Sequence, residues 1–292
     1  MNSKVSTLRL CGIGCAGVVL LGSLTACGGG AVKKAEAKER RSILEEIRES
    51  RAAGASHGGG NKAAKSHGAA TATLSAERGL VRRNVPTDFN PDLENPTVDS
   101  TAWVDPLASV IGNVEIGRRV YLAPFSSVRG DEGQPIHIGN ESNLQDGVVI
   151  HALETIEHGR PRPEHTYEVY GKRYAVYIGD RVSLAHQSHV HGPAWIEDDT
   201  FIGMQALIFK AHIGRGCVIE PAATVMGVTI PDGRYVKAGS TVTDQATADR
   251  LPKITSAYAF RTINQAVVHV NTSLADGYLG RGSSGSQSAG GH

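Results

Sequence analysis

The sequence predicts an all-β solenoid, a parallel β-helix of hexapeptide repeats closed by a C-terminal α-helix. Three observations carry that prediction. Large aliphatic residues recur every six positions at Val98, Val104, Val110, Ile116, Leu122 and Val128, a period that belongs to neither helix nor ordinary strand. Glycine follows at corners, as in Ile116-Gly117 and Ile178-Gly179, the mark of a triangular coil made of three hexads. Aromatic residues make up only 5% of the chain, as expected of a core built from aliphatics stacked at the strand spacing of about 4.8 Å.

From the N-terminus, Lys4 and Arg9 flank an apolar run from Leu10 to Leu24, too short to span a membrane comfortably but suited to a signal sequence. It ends in Leu24-Thr25-Ala26-Cys27-Gly28, which resembles a bacterial lipoprotein cleavage site. Residues 1–27 are therefore expected to be a signal peptide, with ordinary cleavage after Ala26 as the alternative to lipidation of Cys27. The expected location is exported and membrane-anchored through that lipid, on the periplasmic side or the cell surface. Residues 28–84 read as a flexible spacer. Ile43, Leu44 and Ile47 are the large apolar residues of its Ala31–Ala53 part, and the Gly, Ala, Ser, Lys and His of Gly54–Ala72 bury too little to offset ordering entropy. His57 and His67 fall there and are assigned no function.

The formal net charge of +1 gives no electrostatic footprint for nucleic acid. Cys11, Cys15 and Cys27 all precede the body, where Cys217 stands alone, so no disulfide framework exists there.

The β-helix is expected over 85–246. After Val128 the repeat resumes at Ile138, Leu144 and Ile150, then at Ile178, Leu184, Val190, Ile196, Ile202 and Ile208. A five-residue step leads to Ile213, Ile219 and Val225, and a last stretch holds Ile230, Val236 and Val242. Two interruptions, Arg129–His137 and Ala152–Tyr177, read as loops on a rigid scaffold, where function concentrates. A C-terminal helix is assigned to 247–281 from the helical spacing of Ser256–Leu274, and 282–292 to a disordered tail.

Phase locates a site. Arg129, His151 and His191 each follow an inward aliphatic of the third hexad in a coil, if the interruptions leave and rejoin the same face. His151 and His191 should then stack about 4.8 Å apart at the backbone and converge on one ion. His186, two positions after Leu184, emerges from a different face, shared with Gln145 placed one coil below it. A third ligand would come from a neighbouring chain, in a ring of three. Three histidines with an open position suit catalysis, because the ion brings the pKa of bound water to about 7. His189 is read as surface, and His137, His158, His165 and His212 as loop or surface groups, His212 without a partner.

Arg129-Gly130-Asp131-Glu132, Asn143-Leu144-Gln145-Asp146-Gly147, His151-Ala152-Leu153-Glu154 and Ala185-His186-Gln187-Ser188-His189-Val190-His191-Gly192 resemble the γ-class carbonic anhydrases, in particular the archaeal prototype of the class, from about Phe89 to Tyr278. The resemblance implies a left-handed β-helical homotrimer that hydrates carbon dioxide reversibly to bicarbonate by a metal-bound hydroxide. It implies zinc, with iron or cobalt possible, held by His151 and His191 of one subunit and His186 of its neighbour. Arg129 and Asp131 would form an interface pair, and Glu132 and Gln145 would orient hydroxide or bicarbonate. Asn143 and Asn271 would line the pocket, and Glu154 would shuttle protons, with His158 able to supplement it. The chain departs from the family in having Phe89 for tryptophan and His269 for tyrosine. Two other functions fit a hexapeptide prism: an acyltransferase with a histidine base, and a catalytically silent scaffold of the same family.

Overall fold

The structure is a computed structural model that describes residues 80–281 of the 292. The expected signal peptide with Cys27, nearly all of the spacer and the tail lie outside the described residues.

The six-residue period becomes a triangular prism whose three faces are parallel sheets of seven, seven and eight strands. The first face stacks the strands ending at Val98, Ile116, Ile138, Ile178, Ile196, Ile213 and Ile230. The second stacks those ending at Val104, Leu122, Leu144, Leu184, Ile202, Ile219 and Val236. The third carries Val110, Val128, Ile150, Val190, Ile208, Val225 and Val242. Every one of these from Val104 to Val242 is buried, and together they form one continuous core. Stacking like on like in register leaves each aliphatic above and below a side chain of its own shape, which fills the interior without large rings.

The third face holds an eighth strand, Leu80–Arg82, paired parallel to Ser109–Gly112. The predicted spacer therefore ends earlier than residue 84. This strand joins by backbone bonds alone, such as Leu80 N donating to the Ala108 carbonyl at 2.9 Å, while its side chains stay exposed. Burial patterning carries no trace of such a strand.

Both interruptions sit at one corner: each leaves the third face and the chain rejoins on the first, the next face of the coil, rather than on the face it left. No coil is added, so the phase is kept. The longer insertion carries two antiparallel hairpins, Ile156–Glu157 with Arg160–Pro161 and Tyr167–Val169 with Lys172–Tyr174. A single helical turn, Pro163–His165, lies between them.

The C-terminal helix is shorter than expected. Helix α1 spans Gln245–Asp249, capped by Asp244, whose side chain accepts from Thr247 N. Helix α2 spans Ile263–Tyr278. Ser256–Thr262 are turns instead, following Pro252, which cannot sit inside a helix. There Tyr258 stacks on Tyr235 with ring centroids 4.1 Å apart. Helix α2 lies over the outward side of the second face. Ala275 packs with Trp103, Tyr121 and Ala123, and Ile263 and Val267 pack on Ala185, Phe201 and Val218.

Candidate functional site

His151 and His191 are partners in register on the third face. The fold thus pairs the two histidines that phase brought together: His151 Nδ1 lies 3.3 Å from His191 Nε2. His191 Nδ1 donates to the Gly192 carbonyl at 3.0 Å. With its proton held there, the other ring nitrogen keeps a lone pair for a ligand. Burial, first, and then the neighbouring His151 push the His191 pKa down, favouring the neutral form a metal requires.

Beside this pair, the short corner loop brings in carboxylates. His151 Nε2 contacts Glu132, and Asp131, Glu132 and His151 form the one cluster of ligand-type groups among the described residues close enough to hold an ion. His191 Nε2 faces the same imidazole, so the fold gathers His151, His191, Glu132 and Asp131 at one edge of the third face. Asp131 Oδ1 and Glu132 Oε2 are buried without a hydrogen-bond partner. Burial raises the Glu132 pKa, and the Asp131 carboxylate adds to the rise while His151 opposes it. Buried, unpartnered carboxylate oxygens beside two imidazoles fit a cation.

Arg129 completes this group with Nη1 3.8 Å from Asp131 and Nη2 3.5 Å from Glu132. Arg129 and Asp131, expected to pair at a subunit interface, approach each other within one chain. Gly130 separates the two because a Cβ there would lie 2.3 Å from the Asn113 carbonyl.

Asn143, Gln145, His186 and Asn271 lie on or over a different face. His186 follows the second-face strand Ser183–Leu184, is exposed, and is held by Asp146, with Nδ1 2.9 Å from Oδ2. The residue in register beneath His186 is Asp146, because Leu144 pairs with Leu184; Gln145 aligns with Ala185. Counting positions from the inward aliphatic would have found Asp146. Gln145, Asp146, His186 and Asn271 line a groove of about 400 Å³ between the second face and helix α2. Asn143 does not line it. It is fully buried, donates to Ser183 Oγ at 2.9 Å, and its Oδ1 accepts from Gln145 Nε2 at 3.2 Å, so it holds Gln145 in place.

Glu154 lies in the long insertion, in a cleft with Asp88, Phe89 and His158. Its carbonyl accepts from His165 Nδ1 at 2.6 Å. His165 is therefore a buried anchor rather than a surface group. His158 is exposed in the hairpin turn, as expected. His189 is half-buried beside His191, with centroids 6.0 Å apart, and burial lowers its pKa. His137 and His212 lie in first-face strands rather than loops. His137 stacks on Tyr177 and approaches Glu115 at 3.1 Å. His212, which the repeat left without a partner, stacks on Trp195 at 4.1 Å and meets Glu197 at 2.7 Å.

No family model matches the chain. Among known proteins it is 58% identical over 199 residues to a carbonic anhydrase of Methanosarcina thermophila, covering 68% of this chain and 81% of that one. It is 39% identical over 194 residues to the carboxysome assembly protein CcmM of a Nostoc species, covering 66% of this chain but only 33% of that longer protein. To the mitochondrial gamma carbonic anhydrase 1 of Arabidopsis thaliana it is 33% identical over 140 residues, 47% of this chain and 46% of that one.

Proposed function

The chain belongs to the γ-class carbonic anhydrases, and on that premise we propose that it hydrates carbon dioxide reversibly to bicarbonate at metal centres shared between neighbouring copies of itself. One observation carries the proposal. Two histidines with converging nitrogens stand on the third face, while the third histidine stands exposed on the second. Each chain thus offers two complementary halves of one site. His151 and His191 form one half, with Arg129, Asp131 and Glu132; His186 forms the other, with Gln145 and Asn271.

A homotrimer joins such halves, since a head-to-tail contact that closes as a ring uses each half once. Exposed Phe125, Leu107 and Val149, together with Val270 and Leu274 of helix α2, support burial of these surfaces against another copy.

When bound, the metal supplies Lewis acidity that brings the pKa of a coordinated water to about 7. Imidazole nitrogen suits zinc, and also accepts iron or cobalt. Glu132, whose proton affinity burial raises, sets its unpartnered Oε2 beside the reacting oxygen. Arg129, half exposed, offsets the negative charge of Asp131 and Glu132. Gln145, fixed by Asn143, orients substrate oxygen from the other half. Glu154, in its cleft beside His158, passes the proton released by each turnover to solvent. The apolar run Leu10–Leu24 followed by Ala26-Cys27 supports export and attachment to a membrane through lipid on Cys27.

Metal analysis of protein purified without oxygen, paired with a carbon dioxide hydration assay, tests the reading. About one transition metal per chain and activity lost on chelation are expected. A metal-free protein that remains active would refute it, and a metal-loaded but inactive one would favour a scaffold.

A further inference from the structure

Glu132 stands in a turn whose three consecutive carbonyls are all held by side chains or backbone far away in sequence. The Asp131 carbonyl accepts from Asn90 Nδ2 at 3.2 Å, and the Gly133 carbonyl from Asn113 Nδ2 at 3.1 Å. Between them the Glu132 carbonyl accepts from Thr155 twice, from N at 2.9 Å and from Oγ1 at 2.8 Å. Both asparagine amides then converge on one carboxylate. Asn113 Nδ2 donates to Glu94 Oε1 at 2.5 Å, and Asn90 Nδ2 reaches Glu94 Oε2 at 3.5 Å. Glu94 is itself placed by Asn84, whose Oδ1 accepts from Glu94 N at 2.7 Å and whose N donates to the Glu94 carbonyl at 3.2 Å.

We propose that Glu94 is a positioning residue for Glu132, acting as a clamp that orients Asn90 and Asn113 so that they hold both flanks of the Glu132 turn. The proposal rests on the reading that Glu132 takes part in the reaction. Among ordinary side chains, a carboxylate of this length accepts from two amides at once and donates to neither. Bonds to a charged acceptor also hold more firmly than neutral ones. Glutamine at the same place offers one oxygen and turns an NH2 towards the other amide, so one flank of the turn comes loose. The Thr155 bonds extend the clamp to the adjacent Glu154. Small displacements of a group that meets the reacting atoms cost rate steeply.

A double-mutant cycle on the metal-loaded full chain tests this. Glu94→Gln is expected to lower kcat/KM for carbon dioxide hydration about tenfold, with metal content and melting temperature near wild type. In a Glu132→Ala background it is expected to cost nothing further, because the group it positions is gone. A Glu94→Gln enzyme within about twofold of wild type overturns the clamp, as does an equal loss in both backgrounds, which would mark a general structural role. If Glu132→Ala is itself as active as wild type, the reading of Glu132 falls, and the clamp with it. Asn90→Ala removes one arm while leaving Glu94 in place. It enters the cycle should Glu94→Gln not fold, and the same absence of further loss is required of it.

Discussion

His191 and Glu132 show burial acting in opposite directions on two neighbours for the same use. Burial lowers the pKa of the His191 imidazole, which favours the neutral form that the proposed ligand role requires. Burial raises the pKa of the Glu132 carboxyl, so it holds a proton more tightly than an exposed glutamate would. The stability consequence for Glu132 in metal-free protein has a definite sign. As pH rises through the ordinary glutamate range, near 4.3, the unfolded chain ionises first, and folding loses stability until pH passes the raised folded value. Below that range both states are protonated and the residue contributes nothing. Glu132→Gln should therefore raise the melting temperature of metal-free protein at pH 7 and leave it unchanged near pH 3. Equal shifts at both pH values would show that the native pKa is not raised. At this scale the sequence displayed the histidines but not their partners. His165 reaches the Glu154 carbonyl and His212 reaches Trp195 through contacts across 11 and 17 positions that no local pattern announces.

The coil is legible because every inward aliphatic meets the same surroundings; periodicity, with the condition that the insertions add no coil, assigns Ile150 and Val190 to one face and predicts that His151 and His191 pair. What the coil carries at its corner is not periodic and was not legible. The Leu80–Arg82 strand adds only backbone bonds, and the turn holding Glu132 depends on Asn90, Asn113 and Thr155, between 19 and 42 positions from Glu132. Two glycines separate scaffold from decoration. At Gly130 an added Cβ meets the Asn113 carbonyl at 2.3 Å, and the backbone between Arg129 and Asp131 must move. At Gly171, in the tip of the Tyr167–Tyr174 hairpin, φ is +79° and nothing lies within 4 Å. Gly130→Ala is expected to cost roughly 1–3 kcal/mol of stability and most of the activity. Gly171→Ala should cost about 1 kcal/mol, for the left-handed backbone, with activity intact. Chemical denaturation and the hydration assay check both. A fully active Gly130→Ala enzyme would mean that the Arg129–Asp131 backbone does not need its place.

For the whole molecule, the question is whether one chain can complete its own site. The prism is rigid, with each coil bonded to the next along all three faces, so His186 on the second face cannot be carried round to His151 and His191 on the third. On the proposed reading a neighbouring copy presents it. His186→Ala and His191→Ala should each be nearly inactive alone, the first lacking the contribution to the neighbour's site and the second lacking half of its own. In trimers refolded from an equal mixture, a site is whole when the chain supplying His151 and His191 is the His186→Ala variant and the neighbour supplying His186 is the His191→Ala variant. Each condition is met half the time, so roughly a quarter of wild-type sites should return if the ring closes head to tail. The regained activity should be matched by regained metal, measured on the same trimers. Mixing that restores neither would place all three ligands in one chain, and the shared site would be wrong.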